Sequence, residues 1–201
     1  MFKALELEAY DIPVGGSNRL GTWGYIQKWE EWQLSGVLDQ TKNIFVPVGS
    51  GGTAAGIIIG NYLTGSRHKI YLLQVADTIE SLTEDIKSII GQFTISGKPI
   101  SIEEAMKKVT MFEAVGLGYA HRYVYHYTNS GYDFSTDEEL QFIRKIGIKT
   151  GLLFDRVYSG KALRKSLEII RSESLTDCLF LHTGGIHSIS DSTMTSFLTE
   201  S

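Results

Sequence analysis

The stretch IFVPVGSGGTAAGIIIGNYLTGSRHKIYLLQVA, residues 44–76, decides the fold class. Ile44–Val48 is a short apolar, β-prone run that feeds directly into Gly49, Ser50, Gly51, Gly52 and Thr53. The apolar segment that follows is long enough for a helix, and Gly65 offers it a stop. Lys69–Ala76 is a second apolar run of strand length. Strand, glycine loop, helix and strand in that order make a βαβ unit, which implies a parallel sheet. The expected class is α/β, with an open, mostly parallel sheet flanked by helices.

Outward from this unit, periodicity marks further helices. Tyr25, Trp29 and Trp32 recur at helical spacing, as do Ile79, Leu82, Ile86 and Ile89. Ser101-Ile-Glu-Glu104 and Thr136-Asp-Glu-Glu139 both read as capping boxes, so helices are expected just after Ser101 and Thr136. Leu163, Leu167 and Ile170 share one face of a helix after Ser159-Gly160. Tyr123–Thr128 and Leu179–His182 read as strands, the second a buried one. There is no repeat, low-complexity tract or Pro/Ser-rich linker, so one unit over residues 1–201 is the simplest expectation.

The bulk numbers exclude several classes. The chain has 201 residues, 42% hydrophobic and 21% charged, which argues for a globular protein over a disordered one. A net charge of −4 with no run of Lys or Arg argues against nucleic-acid binding. The single cysteine, Cys178, cannot form an internal disulfide, which fits a reducing compartment. No stretch has the length and apolarity of a membrane span, and MFKALELEAYDIP carries acids and lacks a secretory h-region. A cytoplasmic location is the expectation.

The glycine loop has a direct physical reading. The first amides of a helix lack intrahelical partners, and the helix dipole adds partial positive charge beside them. Glycines let the backbone approach an anion closely, and Ser50 and Thr53 add hydroxyl donors. The loop has neither the GxGxxG spacing of a dinucleotide site nor the GK[ST] of a P-loop. A plain glycine turn is the competing reading.

VPVGSGGTAAG, residues 46–56, resembles the phosphate loop of the D-cysteine desulfhydrase and 1-aminocyclopropane-1-carboxylate (ACC) deaminase family. These are fold-type II pyridoxal phosphate enzymes related to the tryptophan synthase β subunit. Four more segments are similar to family motifs in the same order: IPVGGSNRLGTWGY (12–25), GYDFSTDEEL (131–140), LLFDRVYSGKA (152–162) and LFLHTGG (179–185). The resemblance runs from about residue 10 to 186. It implies that Gly49, Ser50, Gly51, Gly52 and Thr53 hold the phosphate of pyridoxal 5′-phosphate. It also implies that Tyr158 stands near the substrate as an acid/base or proton-relay group, with Tyr132 beside it, and that Thr183 faces the pyridine nitrogen. A threonine hydroxyl there leaves the nitrogen unprotonated, and the weaker electron sink suits elimination from the β-carbon.

The implied substrate is a small amino acid, and a homodimer is a candidate assembly. Ser159 and Thr183 lean toward the desulfhydrase side, because the deaminases proper resemble Tyr-Glu-Gly-Lys and His-Leu-Gly-Gly at those motifs. A deaminase-like enzyme and a non-catalytic phosphometabolite-binding module remain the alternatives. The family's Schiff-base lysine segment, resembling Gly-Gly-Asn-Lys-x-Arg-Lys, and its Ser-Asn-His stretch have no counterpart here. The expectation is therefore a truncated large-domain portion, without the small domain and inactive alone. Lys161 reads as structural, Lys69 as an exposed strand opener, and Arg156 replaces the family's proline.

Other residues have bland readings. His68, His121, His126, His182 and His187 form no zinc pattern. Cys178 reads as a small core residue before a buried strand, and Trp23, Trp29 and Trp32 as packing groups. Tyr119, Tyr123, Tyr125 and Tyr127 include an alternation that marks one strand face.

Overall fold

A computed structural model describes residues 11–114 and 135–185. The element order is α1 (Arg19–Leu34), β1 (Asn43–Val48), α2 (Gly52–Leu63), β2 (Lys69–Gln74) and α3 (Ile79–Ile90). A two-stranded antiparallel hairpin, β3 (Thr94–Ile95) and β4 (Lys98–Pro99), leads to α4 (Ile102–Met106) and β5 (Val109–Glu113). Then come α5 (Asp137–Thr150), α6 (Ser159–Ser172) and β6 (Cys178–Phe180).

β1 is buried at all six positions and β2 at five of six, the pattern of strands covered on both faces. The sheet order is β5-β2-β1-β6, and every pairing is parallel. Side chains alternate across it. Ile44, Val46, Val48, Ile70 and Leu72 join Ile26, Trp29, Ala54, Ile58 and Ile86 on one face. Phe45, Tyr71 and Leu73 meet Ala162 and Ile169 of α6 on the other. Each fully buried Ile, Leu or Phe is worth about 1.5–3 kcal/mol over leaving it exposed. From β1 the chain steps to β2 and on to β5, whereas β6 returns to the opposite side of β1. β1 is thus a topological switch point, where the loops leaving β1 and β6 diverge at the carboxyl edge of the sheet.

α1 and α2 approach closely because α2 carries glycine at four-residue intervals. A Cβ on Gly60 would overlap Trp29, and one on Gly56 would reach 2.9 Å from Thr22 O and overlap the Tyr25 side chain. The Trp29 indole also donates to Thr64 Oγ1 at 3.1 Å, tying the far end of the pair.

Several expectations need correction. β2 ends at Gln74 rather than Ala76. β6 is an edge strand among the described residues, three residues long and only part-covered, and Cys178 is exposed rather than a core residue. Ser101 makes only the forward half of its box, to Glu104 N at 3.4 Å, and its helix is five residues long. Thr136 and Glu139 form the full reciprocal box. The buried face of α6 is Ala162, Ser166 and Ile169, with Leu163, Leu167 and Ile170 half-buried beside it. Small residues let the helix lie close to the sheet, so leucine spacing pointed one step off. The hairpin and β5 were not anticipated. Tyr123–Thr128, the other tyrosines of that alternation, His121, His126, His187 and Tyr132 lie outside the described residues.

Candidate functional site

Four segments meet at the carboxyl edge of β1, and each is held by a contact to another. The first is the loop itself. Gly49 and Ser50 are half-buried, and Gly51, at φ +87°, turns the chain into α2. Beneath it Ile86 of α3 packs so closely that a Cβ on Gly51 would lie 3.1 Å from Ile86 Cγ1. No side chain caps α2 at Gly51, and no bond among the described residues occupies the amides of Thr53 and Ala54. Thr53 is half-buried on the first turn.

The second segment is an arm before α1. A 3₁₀ turn at Val14–Gly16 has Gly15 and Gly16 at φ +67° and +62°, a region glycine enters without strain. That turn lifts Ser17 onto the loop. Ser17 Oγ lies 2.6 Å from Ser50 Oγ and accepts from the Gly52 amide at 3.1 Å. Asn18 then caps α1, accepting from Gly21 N at 2.8 Å.

The third segment is Phe154–Ser159, leading into α6. Asp155 is 2% exposed, and its carboxylate gathers the helix-start amides. Oδ1 accepts from Val157 N at 2.9 Å and also from Tyr158 N, while Oδ2 accepts from Ser159 N at 2.7 Å and from the Ser159 hydroxyl. An ionised carboxylate offers about four acceptor sites, and here four donors fill them. This clamp aims Tyr158 at the loop. A Cβ on Gly49 would stand 2.8 Å from Tyr158 Cε2 and 3.3 Å from the phenol oxygen.

The fourth segment follows β6. Leu181 N donates to Phe45 O at 2.9 Å, continuing the register beside β1. His182 stacks on Phe154, with ring centroids 4.5 Å apart. Its Nε2 donates to Leu153 O at 2.9 Å and its Nδ1 accepts from Gly184 N at 3.2 Å, because a carbonyl can only accept. Gly185 presses on Asp155, where a Cβ would come within 2.5 Å of Oδ2. Thr183, half-buried, sits between these two anchors.

The structure therefore brings Gly49–Thr53, Tyr158 and the Thr183 segment to one edge of the sheet. Two residues there were not singled out from sequence. Ser17 lies 33 positions from its partner Ser50, so no local pattern shows it. Asp155, four residues before α6, did carry a readable signal, an acidic residue ahead of a helix start.

The donor set suits a phosphate dianion. The hydroxyls of Ser50 and Thr53 and the amides of Thr53 and Ala54 supply donors, with Ser17 bonded to Ser50 behind them; the loop itself carries no carboxylate, although Asp85 of α3 packs beside Gly51, and the glycines keep the cradle open. Lys161 is 4% exposed in the first turn of α6 and lines a cavity of about 280 Å³ with Glu113, Glu139 and Arg164, away from the loop. Lys69 is exposed at the start of β2, the opposite end of the strand. Among the described residues no group of His, Cys, Asp and Glu could hold a metal ion, and no helix is long and apolar enough to cross a membrane.

No family model matches the chain. It is 35% identical over 190 residues to the Arabidopsis thaliana "Bifunctional D-cysteine desulfhydrase/1-aminocyclopropane-1-carboxylate deaminase, mitochondrial", covering 90% of this chain and 43% of that protein. A crystal structure of an ACC deaminase homologue superposes with a TM-score of 0.73 at 26% identity, covering 98% of this chain and 57% of that one. The chain spans about half the length of the relatives it matches.

Proposed function

The chain is a homologue of the D-cysteine desulfhydrase and ACC deaminase proteins over about nine-tenths of its length, and from that premise we propose that it is the phosphate-holding portion of a pyridoxal phosphate-dependent lyase or deaminase acting on small amino acids. The observation that carries this reading is the hydroxyl-lined glycine loop at the topological switch point, with the Tyr158 ring laid against Gly49. When bound, pyridoxal phosphate supplies an electron sink for the substrate α-carbon. The residues of this chain bind and orient. Gly49, Ser50, Gly51, Gly52 and Thr53 would hold the phosphate, Ser50 and Thr53 through hydroxyls and the loop through amides other than that of Gly52, which donates to Ser17. Tyr158 places a phenol, able to give or take a proton, beside that loop. Thr183, steadied by His182 and Gly185, offers a hydroxyl donor to the pyridine nitrogen.

Within the family, the desulfhydrase type is favoured, converting D-cysteine to pyruvate, sulfide and ammonia. Ser159 has no exposed surface, and its amide and hydroxyl both bond Asp155. A glutamate in its place, as in the deaminase-like motif, would set a second carboxylate against Asp155 in a dry site.

A second reading, a module that holds the cofactor without turnover, is favoured by one observation. The buried lysine, Lys161, lines a cavity away from the loop. Calorimetric titration with pyridoxine 5′-phosphate tests the shared core of both, because that alcohol cannot form imines with surface lysines. Saturable binding, lost in Gly51→Val, is expected; no binding by the wild-type chain sinks the assignment. Sulfide release from D-cysteine in the presence of pyridoxal phosphate then separates enzyme from module.

A further inference from the structure

Resting on that phosphate assignment, we propose that Ser17 is a positioning residue of the cradle, acting through Ser50 rather than on the anion itself. The argument is one of proton bookkeeping. A serine hydroxyl has one hydrogen to donate. Ser17 Oγ already accepts the Gly52 amide at 3.1 Å, and it shares one hydrogen bond of 2.6 Å with Ser50 Oγ, for which either oxygen can be the donor. With no anion present, either direction satisfies the pair. Once a dianion sits against Ser50, the Ser50 hydrogen is drawn to it, and Ser17 must become the donor. The chain then runs in one direction, from the Gly52 amide to Ser17 to Ser50 to the anion. Each bond polarises the next, so the terminal hydroxyl is a stronger donor than a lone serine.

The geometry around the pair excludes an accidental approach. A Cβ on Gly15 would overlap Ser50 Oγ, and one on Gly52 would come within 2.8 Å of Ser17 Oγ. The arm and the loop therefore meet only because both carry glycine beside the two serines. Ser17 belongs to a segment 33 residues before Ser50, ahead of a different helix, so the contact is tertiary and not part of the loop's own turn.

Calorimetry of the whole chain with pyridoxine 5′-phosphate, and with inorganic phosphate as competitor, tests this. Ser17→Ala is expected to weaken both ligands roughly 5-fold, the loss typical of one neutral hydrogen bond. Ser17→Thr, which keeps the hydroxyl, is expected to recover most of it. Ser50→Ala is expected to weaken them at least as much, and the double variant no more than Ser50→Ala alone, because both changes cut one chain of bonds. A merely structural serine would instead lower the urea midpoint of Ser17→Ala and leave the ligand affinity of the folded protein unchanged; that result, or additive losses, overturns the proposal. Should Ser17→Ala not fold, the Ser50→Ala and Ser17→Thr arms decide, since Ser50→Ala binding like wild type also overturns it. A wild-type chain that binds neither ligand refutes the phosphate assignment, and Ser17's role falls with it.

Discussion

The ring of Tyr158 rests on the bare Cα of Gly49, so that a methyl group at residue 49 would stand 2.8 Å from Cε2. Gly49 is not one of the positive-φ glycines, so its backbone accepts alanine, and the cost of substitution is contact alone. Gly49→Ala is expected to displace Tyr158, lower stability by about 1–3 kcal/mol and weaken phosphate ligands. A double-mutant cycle with Tyr158→Ala, read by urea unfolding, checks the pair. A coupling of about 1 kcal/mol or more, relieving the alanine when the ring is gone, is expected. Strict additivity would show that the two groups do not meet.

Asp155 holds the start of α6 by accepting four hydrogen bonds. Asp155→Ala leaves those donors unanswered in a buried site, and a loss of roughly 2–4 kcal/mol is expected, combining a lost cap with a desolvation penalty. Asp155→Asn keeps one acceptor oxygen but turns an amide donor toward Ser159 or the helix start. It should fall between wild type and alanine in urea midpoint. An asparagine variant as stable as wild type contradicts the four-donor clamp.

His68 predicts a pH dependence of stability. Burial holds its pKa below the ordinary imidazole value, against the opposing effect of its bond to Thr41 O, 3.0 Å from Nδ1. Its ring also stands edge-on to Trp29 at 5.3 Å. The unfolded chain takes up a proton near pH 6.5, whereas the native one does so only at lower pH. The His68 contribution is thus full above about pH 6.5 and is lost as pH falls toward the folded pKa, by at most about 1.4 kcal/mol per pH unit. Urea midpoints between pH 7 and pH 5 should fall less in His68→Gln than in wild type. Equal slopes would show that His68 titrates as in the unfolded chain.

The central βαβ unit was legible because a strand covered on both faces has no reason to alternate. Ile44–Val48 and the apolar part of Lys69–Gln74 therefore stand out as unbroken runs. α3 was legible for the opposite reason, since only one face is buried and Leu82, Ile86 and Ile89 repeat at helical spacing. α6 misled because its inward face is made of Ala162 and Ser166, and small residues carry no periodic apolar signal. β6 looked buried from composition, but it pairs only with β1 among the described residues and is half-covered. At the candidate site, the glycine turn between β1 and α2 was legible because Gly51 turns the chain at φ +87°, a region that glycine enters without strain. Ser17 could not, because its partner is defined by tertiary contact alone.

The close seating of α2 on α1, with Gly56 and Gly60 beneath Tyr25 and Trp29, has a mechanical result for the proposed anion site. The arm bearing Ser17 hangs from one helix and the loop bearing Ser50 from the other. With the two helices locked as a single lever, a wedge driven in at Gly60 would pry the two serines apart some two helical turns away. Any grip of the proposed site on an anion would then depend on that distant fulcrum as well as on the loop itself.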